Sequence, residues 1–107
     1  MPATVVVGGL VYEVVKWSKA DAEKAEAWGQ CHKDDLRITI KEGLHIQQEA
    51  RVLLHEVMHA AHMSGGVREL DVTADAEERL VDVLTFQITA IIRHNPALVA
   101  YLQAALR

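Results

Sequence analysis

The chain has 107 residues, half of them hydrophobic, with a formal charge of −4 and a single cysteine, Cys31. That length holds one domain with a single core and little to spare, and so apolar a chain is expected to fold without disulfides or a partner. The acidic balance argues against a general binder of nucleic acid or of membrane surfaces, and a lone cysteine closes no internal disulfide and suits a reducing, cytoplasmic setting.

No run approaches the roughly eighteen uncharged apolar residues of a membrane span, and the N-terminus lacks a basic region followed by a hydrophobic stretch. Neither a membrane helix nor a signal peptide is expected, and no internal repeat, low-complexity tract or linker is visible. Thr4 to Val7 and Leu10 to Trp17 are rich in valine and flank Gly8-Gly9, the signal of a two-residue hairpin. From Ser18 to Trp28 the chain turns alanine-rich and charged. A short helix capped by Ser18 or Asp21 is expected there, with Ala22, Ala25 and Trp28 on one stripe and a loop as the alternative.

Gly29 to His32 and Leu36 to Lys41 flank Lys33-Asp34-Asp35. Leu36, Ile38 and Ile40 alternate with Arg37, Thr39 and Lys41, the clearest strand pattern in the chain. A second hairpin follows from this, and with it an antiparallel sheet of three or four strands. A helix is then expected from Ile46 to Met63, closed at Ser64-Gly65-Gly66 where glycine takes a left-handed cap. A further helix starts with Thr73 as its cap and acidic residues in its first turn, runs through Ile92 and stops at Arg93-His94-Asn95-Pro96. A last short helix, Ala97 to Leu106, brings Leu98, Tyr101, Leu102 and Leu106 over the core. The fold class is α+β: a small sheet followed by helices.

The chemistry sits in the first long helix, at Leu53-Leu54-His55-Glu56-Val57-Met58-His59-Ala60-Ala61. Residues four apart on a helix lie one above the other, so His55 and His59 can offer two imidazole nitrogens to one ion. Glu56 sits one residue around from the first ligand, where a carboxylate reaches a metal-bound water, the geometry of metal-assisted hydrolysis. The five-residue pattern fixes only three positions, and its plain alternative is a buried helix with two satisfied core histidines. A catalytic zinc needs a third protein ligand, and the next acidic stretch is Ala74-Asp75-Ala76-Glu77-Glu78-Arg79-Leu80-Val81-Asp82. There, Leu80, Val81, Leu84, Ile88 and Ile91 define an apolar face centred on Glu77, while Glu78 shares a flanking stripe with Asp82, Thr85 and Thr89. Helical phase leaves both glutamates open as ligands.

With these residues the sequence resembles the gluzincin clan of metallopeptidases, in which a glutamate on a following helix completes the zinc site and an acidic residue four positions later holds a ligand histidine. The resemblance implies His55, His59 and Glu78 as zinc ligands, Glu56 as general base and Asp82 as the group that orients a ligand. Glu77 is the alternate third ligand. Over most of its length the chain is similar to small phage-type, minigluzincin-like zincins, which share this order of elements and an Asn-Pro pair like Asn95-Pro96. The resemblance implies a zinc-dependent peptidase of phage or prophage origin acting on a protein or peptide, with an edge strand beside the active helix receiving extended substrate.

Other residues weigh less. His62 stands where the metzincin pattern needs glycine, and Gly65 where it needs histidine, which excludes that clan; His62 then either lines the site or, as the simpler reading, sits at its rim. Asp71 and Asp75 lack the surrounding motif of an aspartate-ligand clan. Cys31 and His32 alone do not close a metal site. His45 and His94 read as helix-end residues. A second oxyanion donor, which larger gluzincins supply from segments this chain lacks, can come only from Tyr12, Tyr101, His32 or His94.

Overall fold

The computed structural model describes residues 1–64 and 73–105. Gly8 and Gly9 take φ values of 59° and 79°, the positive pair that a two-residue hairpin requires. They join β1 (Thr4–Val7) to β2 (Leu10–Trp17) in antiparallel register, with Val5 opposite Tyr12. Ser18 then caps α1 (Lys19–Ala25), its hydroxyl accepting the Asp21 N–H at 3.1 Å. Glu26, left-handed at φ 54°, ends this helix before the expected Trp28. Of the stripe Ala22, Ala25 and Trp28, only Ala22 is buried.

β3 (Gly29–His32) and β4 (Arg37–Lys41) form the second hairpin, with Cys31 opposite Ile38. Leu36 falls outside the strand because it takes a left-handed φ of 50° in the turn. The strand order is β1-β2-β4-β3, and β2 pairs with β4 in parallel, so the sheet is mixed where an antiparallel one was expected. The cause is α1. It carries the chain across the end of the sheet and sets β3 down one strand position beyond β2. The hairpin then returns inward to fill the gap, and a strand returning that way runs in the direction of β2. The strand that fills the gap is the most buried: Ile38 and Ile40 have no exposed surface, and Thr39 between them is also buried. Polar β3 is left at the edge.

α2 (Ile46–Ser64) lies across one face of the sheet. Ala60, with Leu53 and Val57 beside it, closes a core with Tyr12, Val14, Ile38 and Ile40. Lys16 of β2 pairs with Glu49 of α2 and ties the first turns of the helix to the sheet. α3 (Ala74–His94) begins at Thr73, whose hydroxyl accepts the Ala76 N–H at 3.1 Å, and packs on α2. Its phase differs from the expected one. Val81 and Thr85 are buried, while Leu80 and Leu84 are 40% and 37% exposed. The rotation that turns these leucines outward is the one that sets Glu77, Glu78 and Asp82 against α2. α4 (Pro96–Ala105) starts at Pro96, where a missing N–H costs nothing. The Gly65-Gly66 cap, Asp71 and Leu106 lie outside the described residues, as do the side chains of Leu98, Tyr101 and Leu102. Among the described residues no helix is long and apolar enough to cross a membrane.

Candidate metal centre

Four residues per step along α2 place Arg51, His55 and His59 on the face turned toward α3. The Nε2 atoms of His55 and His59 are 3.2 Å apart. Glu78 straddles them from the first turns of α3, with Oε1 3.0 Å from His55 Nε2 and Oε2 3.0 Å from His59 Nε2. One donor atom from each of the three residues falls within a span of 4.8 Å, close enough to hold a metal ion.

The spacing fits the chemistry of the donor set. A tetrahedral zinc with ligand bonds of about 2.0–2.1 Å holds its ligand atoms about 3.3 Å apart. The contacts behind the two rings suit the same role. His59 Nδ1 donates to Glu77 Oε1 at 2.9 Å, since a carboxylate can only accept, and a neutral imidazole with its proton on Nδ1 presents a bare lone pair at Nε2. His55 Nδ1 lies 3.2 Å from Asp82 Oδ1, which favours the same tautomer there. With that tautomer on both rings, two imidazole lone pairs and the Glu78 carboxylate face one point, the donor set a cation takes.

Glu77, open as a ligand on helical phase, is placed behind the centre. Its Oε1 holds His59, and its Oε2 is 3.4 Å from His62 Nε2. His62 is accordingly no rim residue: it backs Glu77, and its buried Nδ1 has no hydrogen-bond partner. Asp82 takes the expected place beside His55.

Glu56 lies in the seam between α2 and β3, lining the same cleft as His55, His59 and Glu78. It is buried, and the backbone N–H of Cys31 donates to its carboxylate. Burial pushes this carboxyl above the usual range; the positive potential of His55 and His59 pulls against that, the Glu78 charge adds to it, and the Cys31 N–H opposes it. Gly29 is what lets β3 come this close. A Cβ there would stand 2.6 Å from Val52 Cγ1 and 3.1 Å from Glu56 Oε2.

The His55, His59, Glu56 and Glu78 side chains open on a cleft of about 620 Å³, walled on one side by Trp28, Gly29, Gln30 and Cys31 of the edge strand and its approach. Lys33 and Arg51 also line it. A smaller cavity of about 310 Å³ adjoins it between α2 and α3, lined by Arg51, His55, Asp82, Thr85 and Phe86. Gly29, Lys33 and Arg51 escaped the sequence reading. Arg51 was findable, because it precedes His55 by four residues as His59 follows it. Gly29 carried no local signal, since its close neighbours are more than twenty positions away in the chain.

The remaining candidates separate cleanly. Cys31 and His32 are successive strand residues and face opposite sides of the sheet, so they cannot share an ion. Cys31 lies toward Glu56, and burial pushes its thiol up to about 11, with the Glu56 charge adding and Lys33 opposing. His32 meets Thr39 Oγ1 at 3.1 Å and the Trp17 ring at a centroid distance of 6.3 Å. Burial lowers its pKa, and Arg37 adds to that against Asp35. His45 accepts the Gln47 N–H at 3.3 Å at the start of α2, and His94 ends α3, both as helix-end residues. Tyr12 is in the core. Neither it nor His32 nor His94 lines the cleft, and the Tyr101 side chain lies outside those described. No protein-family model, no curated protein and no solved structure matches this chain.

Proposed function

We propose that this protein is a zinc-dependent metallopeptidase of the gluzincin type, a small zincin-like domain of phage or prophage origin that acts in the cytoplasm on protein or peptide. The observation that carries the reading is the convergence of His55, His59 and Glu78 beside a buried Glu56. Two imidazoles and one carboxylate are the donor set of a catalytic zinc that keeps a fourth position open. Bound zinc supplies a Lewis acid and brings the pKa of water toward neutrality.

Within this reading the protein's own groups divide the work. Glu77 and Asp82 hold the two imidazoles in the tautomer that presents Nε2. Glu56 takes the proton from the attacking water and returns it to the leaving amine. Its burial serves this, because a carboxyl whose pKa is raised is a stronger base than an exposed one and holds the proton longer before giving it to the amine. The outer edge of β3, apart from the Cys31 N–H that Glu56 holds, would offer backbone groups to an extended peptide lying along the cleft wall above the metal ligands.

The test is Glu56→Gln beside the wild type, with elemental analysis of both. One zinc per chain in each, with cleavage of peptide pools only by the wild type, supports the reading; equal cleavage by the variant would sink it. A second reading, a zincin-fold binding or assembly module with structural zinc, is favoured by one observation. Of the oxyanion donors available in sequence, none whose side chain is described lines the cleft. It requires one zinc per chain, loss of the fold in chelator and no cleavage of any peptide.

A further inference from the structure

The charges in the cleft are not all satisfied internally. Each of its carboxylates has a partner: Glu56 receives the Cys31 N–H, Glu77 holds His59 and His62, and Glu78 faces both His55 and His59. Its two cations, Lys33 and Arg51, have no carboxylate within ion-pair distance among the described residues. Arg51 is also held in place. Its guanidinium carbon lies 5.5 Å from the centroid of the Phe86 ring. A guanidinium over an aromatic face keeps the N–H groups in its own plane free for a ligand, and a planar fork of donors matches a carboxylate. Phe86 is itself 60% exposed, so the pair stands at the cavity mouth in reach of a ligand.

We infer that the cleft selects peptides with an acidic side chain, whose carboxylate Arg51 binds in the smaller cavity between α2 and α3. The inference rests on the metallopeptidase reading and adds a substrate class to it. Arg51 stands four residues before His55, about 6 Å along the helix. An extended peptide advances about 3.3 Å per residue, so the acidic side chain belongs to a residue about two positions from the bond at the metal centre. The cavity of about 310 Å³ has room for it. Asp82 also borders that cavity, but it lies against His55 Nδ1 at 3.2 Å. Thr85 also borders the cavity, with its hydroxyl buried behind the wall.

The experiment uses two fluorescent decapeptide pools, randomised except for one central position that is glutamate in the first and glutamine in the second. Binding is followed by anisotropy on the zinc-loaded Glu56→Gln protein, and cleavage on the wild type. The glutamate pool is expected to bind roughly tenfold more tightly, the scale of one charge-assisted pair. Added Arg51→Ala should erase the difference, Arg51→Lys should keep part of it, and Arg51→Glu should turn preference toward a lysine pool. Zinc content and circular dichroism confirm that each variant is folded and loaded. Equal binding of both pools by a protein that cleaves peptides overturns the inference and leaves the peptidase reading standing, as does a preference that survives Arg51→Glu. A zinc-loaded protein that binds and cuts neither pool overturns both.

Discussion

The half of the molecule built from the sheet and α2 closes on Ile38, Ile40 and Ala60, none of which has exposed surface, while α3 buries Val81 and Thr85 and leaves Val83, Phe86 and Ile92 more than 45% exposed. Hydrophobic burial thus holds the first half together, whereas α3 adds a set of imidazole–carboxylate contacts to α2: Glu77 with His59 and His62, Glu78 with His55 and His59, Asp82 with His55. The contrast teaches that the candidate metal centre is also the joint between a firm half and a loosely packed one. Each half supplies donors to the same point, so an ion there would stabilise their docking as well as any chemistry.

Metal removal should break this contrast most visibly. With free zinc at a thousandfold excess over its Kd, binding contributes about 4 kcal/mol to stability. Chelation should therefore lower the melting temperature and strip hydrogen-exchange protection from α3 before the sheet and α2. Uniform loss of protection across both halves would mean that they are one cooperative unit. Next in size is a pair of truncations. Ile40→Ala empties space in the firm core and should cost about 3 kcal/mol in denaturant melts, while Leu84→Ala, at a position already partly in water, should cost under about 1 kcal/mol. Similar losses would show that the leucine stripe of α3 is covered after all.

Gly29→Ala comes third, at about 1–3 kcal/mol, because a Cβ 2.6 Å from Val52 Cγ1 forces β3 away from α2. In the proposed enzyme this also displaces Glu56, so cleavage should fall far more than stability while zinc content stays at one per chain. The smallest effect is in Cys31. Its folded pKa of about 11 lies above the reference of 9.0, so the folded state holds the proton longer than the unfolded one. Its contribution to stability is complete below pH 9.0 and is lost as pH rises toward about 11. Alkylation of the native thiol at pH 8 should be much slower than in urea, and equal rates would place Cys31 outside the seam.

Much of this was legible in the chain because the signals are short-range. Gly8-Gly9 needs only its own φ angles to turn a hairpin, Ser18 and Thr73 cap helices three residues ahead, and His55 and His59 share a face through helical geometry alone. The same periodicity finds Arg51. It could not choose between Glu77 and Glu78, because a hydrophobic face on α3 says which side is apolar and nothing about which side meets α2. There the expected face was turned partly to solvent, and two residues adjacent in sequence took opposite sides of one histidine, Glu78 before Nε2 and Glu77 behind Nδ1.

Local sequence therefore carried the elements, the Ser18 and Thr73 caps and the pair of histidines with its glutamate, each specified by backbone geometry within about one helical turn or one hairpin. Tertiary packing alone decided the parallel pairing of β2 with β4, the rotation of α3, the seat of Glu56 against Gly29 and the place of Arg51 over Phe86. Those depend on where separately formed pieces come to rest against one another. That is a balance of burial, sterics and charge between residues far apart in the chain, and no period in the sequence records it.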